Sequence, residues 1–317
     1  MTIGVVAIVK NEADVVGRML RSTAPWAAAW VVSDTGSTDG TLAKVYKAQV
    51  DKAPPLATSR KPWQDFSANR NFALDEARRV YPQVDYWLSL DADETAEMAP
   101  GADPSCLEAD LVTLEMKAGN TRFWAPRLIR AKGPCRWVGK CHEVPEAEGM
   151  TQERWAGITL THHGDGHDSP DDRRLARNEM LLRAELHVHP DNPRTVFYLA
   201  NTLEAAGRKK EAAAYFKQRA AMGTVQSEEG WYAHYRWGAC QLATGDLTGV
   251  DTLLRATNRR PWRAEPLADL ATYYYQQECE QLAKFFELAA DSLPYPEIDC
   301  LFIEDALYDK ELRSDPA

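Results

Sequence analysis

Apolar residues first gather in an unbroken run, Ile3-Gly4-Val5-Val6-Ala7-Ile8-Val9, that stops at Lys10-Asn11-Glu12. A short run without polar alternation reads as a buried parallel strand. Helical spacing follows over about 15–23. A second short strand at 30–33 then delivers Asp34-Thr35-Gly36-Ser37-Thr38-Asp39-Gly40-Thr41, and another helix starts near Thr41. Ser67 is placed to cap a helix running to about Val80. The sharpest stretch is Tyr86-Trp87-Leu88-Ser89-Leu90, an apolar climb that ends on Asp91-Ala92-Asp93-Glu94. Strand, polar loop and helix in repetition predict an α/β domain wound on a mainly parallel sheet.

Beyond residue 168 the pattern changes. A helix is expected to start at 168–172 and run to about 186, and Pro190 and Pro193 then break the chain. From Thr195 onward every period is helical. The segments 197–206 and 211–216 flank Gly207, 232–246 and 250–257 turn at Gly245, and 266–277 pairs with 279–293. Helix, Gly turn and helix, repeated with small residues where helices pack, is a tetratricopeptide-like layout. Three such pairs stack into one solenoid. The aromatics of this half, Trp231, Tyr235, Trp237 and the Tyr273-Tyr274-Tyr275 run, are read as helix packing. The expected organisation is an α/β domain over 1–167, a helical repeat domain over 168–293, and a tail over 294–317 packing back on the body.

Composition narrows the classes. A chain of 317 residues accommodates two cores. A formal net charge of -10 argues against non-specific binding to nucleic acid or anionic membrane. The 6 cysteines show no Cys-x-x-Cys pair and no zinc spacing, as free thiols of a reducing, cytoplasmic compartment would. The run at 3–9 is too short to span a bilayer and has no basic segment before it, so neither a signal peptide nor membrane insertion is expected.

The candidate chemistry sits at strand ends. As residues i and i+2 of an extended segment, Asp91 and Asp93 would point the same way and share one target. A hard divalent cation bridging a diphosphate suits them. Alone, the triplet fits a strand end before a helix N-terminus equally well. The loop 34–41 has glycines and small polar residues that let a ligand approach. Asp34 is placed to contact that ligand, and Asp39 to cap the next helix. An arginine early in a helix gains nothing from the dipole, so Arg70 is either a surface residue or a phosphate clamp.

Four stretches, Val9-Lys10-Asn11-Glu12, Ser33 through Thr41, Phe66-Ser67-Ala68-Asn69-Arg70-Asn71 and Leu90-Asp91-Ala92-Asp93-Glu94, resemble in order and spacing the family 2 glycosyltransferases. The resemblance implies a GT-A fold and inverting transfer from a nucleotide sugar, UDP-sugar favoured. It implies that Glu12 and Asp34 hold the nucleoside and that Arg70 sits near the nucleoside or diphosphate. Asp91 and Asp93 would bind the donor through Mg²⁺ or Mn²⁺. Trp137-Val138-Gly139-Lys140-Cys141-His142-Glu143 is similar to a motif of the subset that carries tetratricopeptide repeats. Thr159-Leu160-Thr161-His162-His163-Gly164 resembles that subset's strand ending in His-x-Gly, which makes His162 a third metal ligand. The subset has an aromatic after this glycine, where the present chain has Asp165. Inverting transfer needs a base for the acceptor proton. Glu143 is the first candidate, with Glu94 and Asp65 behind it.

The acceptor is expected to be a macromolecule, DNA or polypeptide, with dimerisation through the repeats as a second role for them. Similar proteins modify peptides at cysteine or serine, surface glycans, or, in phages, hydroxymethylated DNA bases. The stretch 122–140 is basic and aromatic, which leans toward an anionic, stackable acceptor. Two other classes compete. A sugar-nucleotide pyrophosphorylase would want a Gly-rich basic loop after the first strand, which Lys10-Asn11-Glu12 does not supply. A non-catalytic repeat scaffold would not need Asp91, Asp93 and His162.

Overall fold

The computed structural model describes residues 1–49, 53–119, 121–166, 171–223, 227–299 and 301–308. The chain divides into two units, Met1–Asp171 and Asp172–Ala317.

The first unit begins with β1 (Ile3–Val9), α1 (Val16–Thr23), β2 (Trp30–Asp34), α2 (Thr41–Lys47), β3 (Leu56–Arg60), α3 (Phe66–Val80) and β4 (Tyr86–Leu90). It continues with β5 (Glu94–Met98), β6 (Leu111–Ala118), β7 (Thr121–Arg130), the short pair β8 (Arg136–Val138) and β9 (Val144–Glu146), and β10 (Gln152–His162). Eight strands form one mixed sheet in the order β3-β2-β1-β4-β7-β6-β10-β5. β3, β2, β1 and β4 run parallel, β7 is antiparallel to both of its neighbours, and β10 runs parallel to β6. The carboxyl ends of β1, β2, β3, β4, β6 and β10 therefore share one edge.

Alternation along β1 builds both halves of the core. Ile3, Val5, Ala7 and Val9 pack with Met19 and Leu20 of α1, while Val6 packs with Ala73, Leu74 and Ala77 of α3. This double coverage is why the run shows no polar residue. Gly4 is dictated by its neighbour: an added Cβ would lie 2.4 Å from the buried Trp87 ring on β4.

One local expectation needs correction, and one strand is new. Asp65, not Ser67, caps α3: its carboxylate accepts from the Ala68 amide at 2.7 Å and from the Ser67 hydroxyl at 3.0 Å. Asp65 is extended, so its side chain reaches the third amide of the helix, while Ser67 is already helical. β3 has no counterpart in the sequence reading. It is an edge strand with no fully buried residue, and its apolar signal is correspondingly weak.

The second unit is helical: α4 (Asp171–Val188), α5 (Pro193–Ala205), α6 (Lys209–Ala221), α7 (Glu228–Ala243), α8 (Gly249–Arg259), α9 (Glu265–Gln276) and α10 (Glu280–Asp291). The predicted start of α4 at 168–170 lies outside the described residues. The last six helices pair as α5/α6, α7/α8 and α9/α10. Gly207, Gly245 and Glu278 each take a left-handed φ (75°, 81° and 57°) in the connecting turn. Each turn repeats two backbone bonds, as in Gly207 to Glu204 and Arg208 to Leu203. Small residues let helices touch: a Cβ on Gly249 would lie 2.7 Å from the Gly238 carbonyl oxygen. Of the described residues beyond 293, Phe302 stacks on Tyr232 of α7, Glu304 and Tyr308 meet Glu265 of α9, and Asp299 pairs with Arg263 between α8 and α9.

Candidate active site

Sheet topology gathers the predicted residues at the shared edge of the first unit. Asn11, left-handed after β1, accepts the Thr38 amide at 2.8 Å, and its own amide donates to Ser37 Oγ at 3.0 Å. The Glu12 amide donates to Thr41 Oγ1 at 2.8 Å. These bonds stitch the loop after β1 to the loop after β2. Asp34 is 2% exposed; Oδ1 accepts from the Gly36 and Ser37 amides, and Oδ2 lies 3.4 Å from Arg60 Nε. Asp34 thus shapes the loop from beneath. Asp39 accepts the Thr41 amide at 2.9 Å, at the start of α2.

β4 stops at Leu90, and Asp91-Ala92-Asp93 form a turn rather than an extended segment. The Glu94 amide donates to the Asp91 carbonyl at 3.1 Å, and the Asp91 amide donates to Glu94 Oε2 at 2.9 Å. This reciprocal closure gives Asp91 and Asp93 the geometry of a turn, not the alternation of an extended segment. The three-ligand set expected of Asp91, Asp93 and His162 divides accordingly. Asp93 Oδ2 lies 3.6 Å from His162 Nδ1 at the end of β10. Asp91 is instead held by arginines.

Arg70 is buried on α3 and uses all its nitrogens. Nη2 donates to Asp91 Oδ1 at 2.6 Å, Nη1 to Ser89 Oγ at 3.1 Å and Nε to Glu143 Oε1 at 2.5 Å. Its guanidinium also lies 5.0 Å from the Trp137 ring centre. Arg127 on β7 donates to Glu94 Oε1 at 2.9 Å and to Asp91 Oδ2 at 3.5 Å. Burial disfavours the charge on Asp91, yet Arg70 and Arg127 outweigh it and hold this carboxyl well below the usual range. Glu94 goes the other way: burial pushes it up to about 7 against the pull of Arg127. The Arg70 guanidinium, also opposed by burial, is held charged by Asp91 and Glu143.

The motif around Arg70 has a use for each polar residue. Asn69 accepts the Gln64 amide at 2.9 Å and fixes the approach to α3. Asn71 brackets the Trp137 backbone, accepting its amide at 2.9 Å and donating to its carbonyl at 2.8 Å. The β8–β9 hairpin is thereby anchored to α3, and its connecting loop brings Glu143 to Arg70. Asp165 pairs with Arg18 of α1 in two bonds of 2.9 and 2.5 Å. A charge pair therefore stands where the sequence comparison led to an aromatic contact.

The alternative bases are otherwise engaged. Glu94 is 1% exposed beneath Arg127, and Asp65 caps α3. Several arginines of the basic stretch are also paired. Arg122 lies 3.5 Å from Glu115, Arg136 2.5 Å from Asp75, and Arg130 lies against the Glu108 and Ala109 carbonyls. Trp137 is buried beneath Arg70. Arg127 is the site residue that sequence reasoning missed, because only the pairing of β7 beside β4 brings it to Asp91.

Among the described residues, no three His, Cys, Asp or Glu side chains stand together as a metal cage. What the edge offers a divalent cation is the carboxylate–imidazole pair of Asp93 and His162, whose side chains are 14% and 42% exposed. Gly166 lies close against this pair: a Cβ added there would be 3.2 Å from Asp93 Oδ2. One oxygen and one nitrogen donor fit an ion whose other positions go to phosphate and water.

No family model matches the chain. A TPR repeat-containing protein of Synechococcus elongatus is 27% identical over 273 residues, covering 80% of this chain. The chain spans 65% of that relative's length. The relative's name agrees with the paired helices of the second unit. Among solved structures, S. aureus TarS 1-349 in complex with UDP-GlcNAc matches over 93% of this chain and 93% of its own, at 13% identity and a TM-score of 0.40. A MamA structure (MSR-1) matches over 37% of this chain and 66% of its own, at 19% identity and a TM-score of 0.33. No described helix is long and apolar enough to cross a membrane.

Proposed function

We propose that the first unit is an inverting glycosyltransferase domain of the GT-A, family 2 type, acting on a nucleotide sugar, with a UDP-sugar favoured. The observation that carries this reading is the sheet edge itself. Parallel strands end there in two stitched loops, an arginine-clamped Asp91, and an Asp93–His162 pair, at the place where α/β sheets take ligands. The nucleoside is assigned to the rim formed by Glu12 and the loop 34–41, whose shape Asp34 sets. Asp93 and His162 would hold a Mg²⁺ or Mn²⁺ ion, which when bound offsets the charge of the diphosphate.

Arg70 acts as a positioning residue. With one donor from each of its nitrogens on Asp91, Ser89 and Glu143, it orients those carboxylates. Arg127 neutralises Asp91 from the other side. Glu143 is assigned the acceptor proton. What supports it is its place on the hairpin loop anchored by Asn71, and the use of Asp65 as the cap of α3.

The acceptor is proposed to be macromolecular, with the helical repeats binding it or pairing copies of the chain. The internal pairing of Arg122 and Arg136 weakens the case for DNA, such as a hydroxymethylated base, and leaves a polypeptide or glycan equally served. The test is a thermal-shift panel of UDP, GDP and CMP sugars with and without Mn²⁺, on the native chain and on Asp93→Asn. A metal-dependent shift with one donor, absent in the variant, supports the reading. No shift with any donor would return the chain to the scaffold class.

A further inference from the structure

Besides the two guanidiniums on Asp91, a third stands at the same edge of the first unit, and it is held differently. Arg18 lies in the first turn of α1, where the helix dipole opposes a cation, so its place is explained only by what it meets. α1 runs along β5, with the Ala96 amide donating to Ser22 Oγ at 3.1 Å. Because β5 starts directly after Asp93, this packing brings Arg18 beside the Asp93–His162 pair. Asp165, on the loop that follows His162, accepts from both terminal nitrogens, Nη1 at 2.9 Å and Nη2 at 2.5 Å. These bonds, and at longer range the charge of Asp93, push the Arg18 guanidinium further up from its ordinary value.

Arg70 and Arg127 are buried, and each reaches at least two side chains. Arg18 reaches one. Among the described residues Asp165 is the acceptor of both its bonds, and its Nε, though buried, meets none. The pair is also wet. The Arg18 and Asp165 side chains are 33% and 50% exposed, and an ion pair so exposed holds weakly. The loop that carries Asp165 is pinned at its start: the His163 amide donates to the Asp93 carbonyl at 3.1 Å, and His163 Nε2 lies 3.0 Å from Thr95 Oγ1. Gly164 follows at a left-handed φ of 67°, a conformation that glycine adopts and leaves without steric cost. Two oxygens on a guanidinium fork is also the geometry in which arginine takes phosphate, and a diphosphate carries more charge than a carboxylate.

We infer that Arg18 is a diphosphate-binding residue, and that Asp165 fills its fork in the free protein until the diphosphate of a nucleotide displaces it. The inference rests on the transferase reading of this edge. It adds a protein cation to the diphosphate, next to the ion assigned to Asp93 and His162. In the exchange two N–H donors pass from carboxylate oxygens to phosphate oxygens, and Asp165 turns to water about Gly164. Asp165 is therefore a competitor of the ligand, and removing its charge should strengthen binding. A pair that merely braces the loop would give the opposite sign.

The experiment is calorimetric titration of UDP, GDP and inorganic pyrophosphate, each with Mn²⁺, into the full chain, carried through the variants with the ligand that the native protein binds. Arg18→Ala should weaken that ligand about tenfold or more, as expected when a hydrogen bond to a charged group is lost. Asp165→Asn should tighten it by about two- to fivefold, the strength of an exposed ion pair. The gain should vanish in the Arg18→Ala background, because Arg18 is what the substitution releases. A gain that survives there would reduce Asp165 to through-space repulsion, and weaker binding in both single variants would make the pair a brace. Either result overturns the inference and leaves the transferase reading standing. A native chain that binds none of the three ligands would overturn both.

Discussion

Asp93 and His162 reach each other from strand ends that the chain separates by nearly seventy residues, with Oδ2 3.6 Å from Nδ1. Among the described residues no guanidinium is in direct contact with either, in contrast to Asp91 two positions away. If this pair is the protein's share of a metal site, Asp93→Asn and His162→Ala should each abolish the Mn²⁺-dependent part of nucleotide-sugar stabilisation. Each should leave the melting temperature without ligand within about 2 °C of the native value, as expected for an isosteric change at Asp93 and for an exposed side chain at His162. Loss of stability without ligand in both variants would assign the pair a structural role instead.

Arg70 is predicted to matter for the fold as much as for the site. Replacing it with Met leaves Asp91 and Glu143 facing a buried methyl group, and breaking such an ion pair costs about 3–5 kcal/mol. Denaturant unfolding of Arg70→Met should show a drop of that size. Adding Glu143→Gln should recover part of it, because one of the stranded charges is then gone.

The third helical turn invites a stabilising change. Glu278 occupies the left-handed position that Gly207 and Gly245 hold in the other two turns. Glu278→Gly should raise the stability of the helical unit by about 1 kcal/mol by relieving the Cβ–carbonyl contact. Gly245→Ala should lower it by a similar amount in the same melt. A Glu278→Gly variant that melts lower would show that the Glu side chain contributes more than its backbone conformation costs.

The helical unit should also weaken in mild acid. Burial, with the nearby charges of Arg259 and Arg255, pushes His234 from an ordinary 6.5 down to about 4. Above pH 6.5 the residue is neutral in both states and adds no pH dependence. Between 6.5 and 4 the unfolded chain takes up a proton that the folded one refuses, so stability falls as pH falls through that window. His234→Gln should flatten the melting temperature over the same range.

Strands β1 and β4 were legible because both faces of each are buried, which leaves an apolar run with no competing pattern. The helix pairs were legible from Gly207, Gly245 and the small residues between them. The loop joined to Asn11, and the strand end at Asp91, were found through motifs. Their geometry was not, because a turn closed by the Glu94 carboxylate on the Asp91 amide leaves no periodic trace. Arg127 and Asp165 acquire meaning only from strand order and from α1, neither of which a local reading contains. The paired state of Arg122 and Arg136 was hidden for the same reason: their partners Glu115 and Asp75 lie on other elements.

The strand order β3-β2-β1-β4-β7-β6-β10-β5 implies a timetable. Most neighbours in the sheet are distant in sequence: β1 must find β4 across more than seventy residues, and β6 must wait for β10. The helices pair with their immediate successors. Loop closure slows the first kind of contact and hardly touches the second. On refolding, the helical unit should recover its signal well before the sheet does. The Asp93–His162 pair, which needs β10 in register, would then be among the last native contacts to form, and the appearance of nucleotide-sugar binding would mark the completion of folding in the first unit.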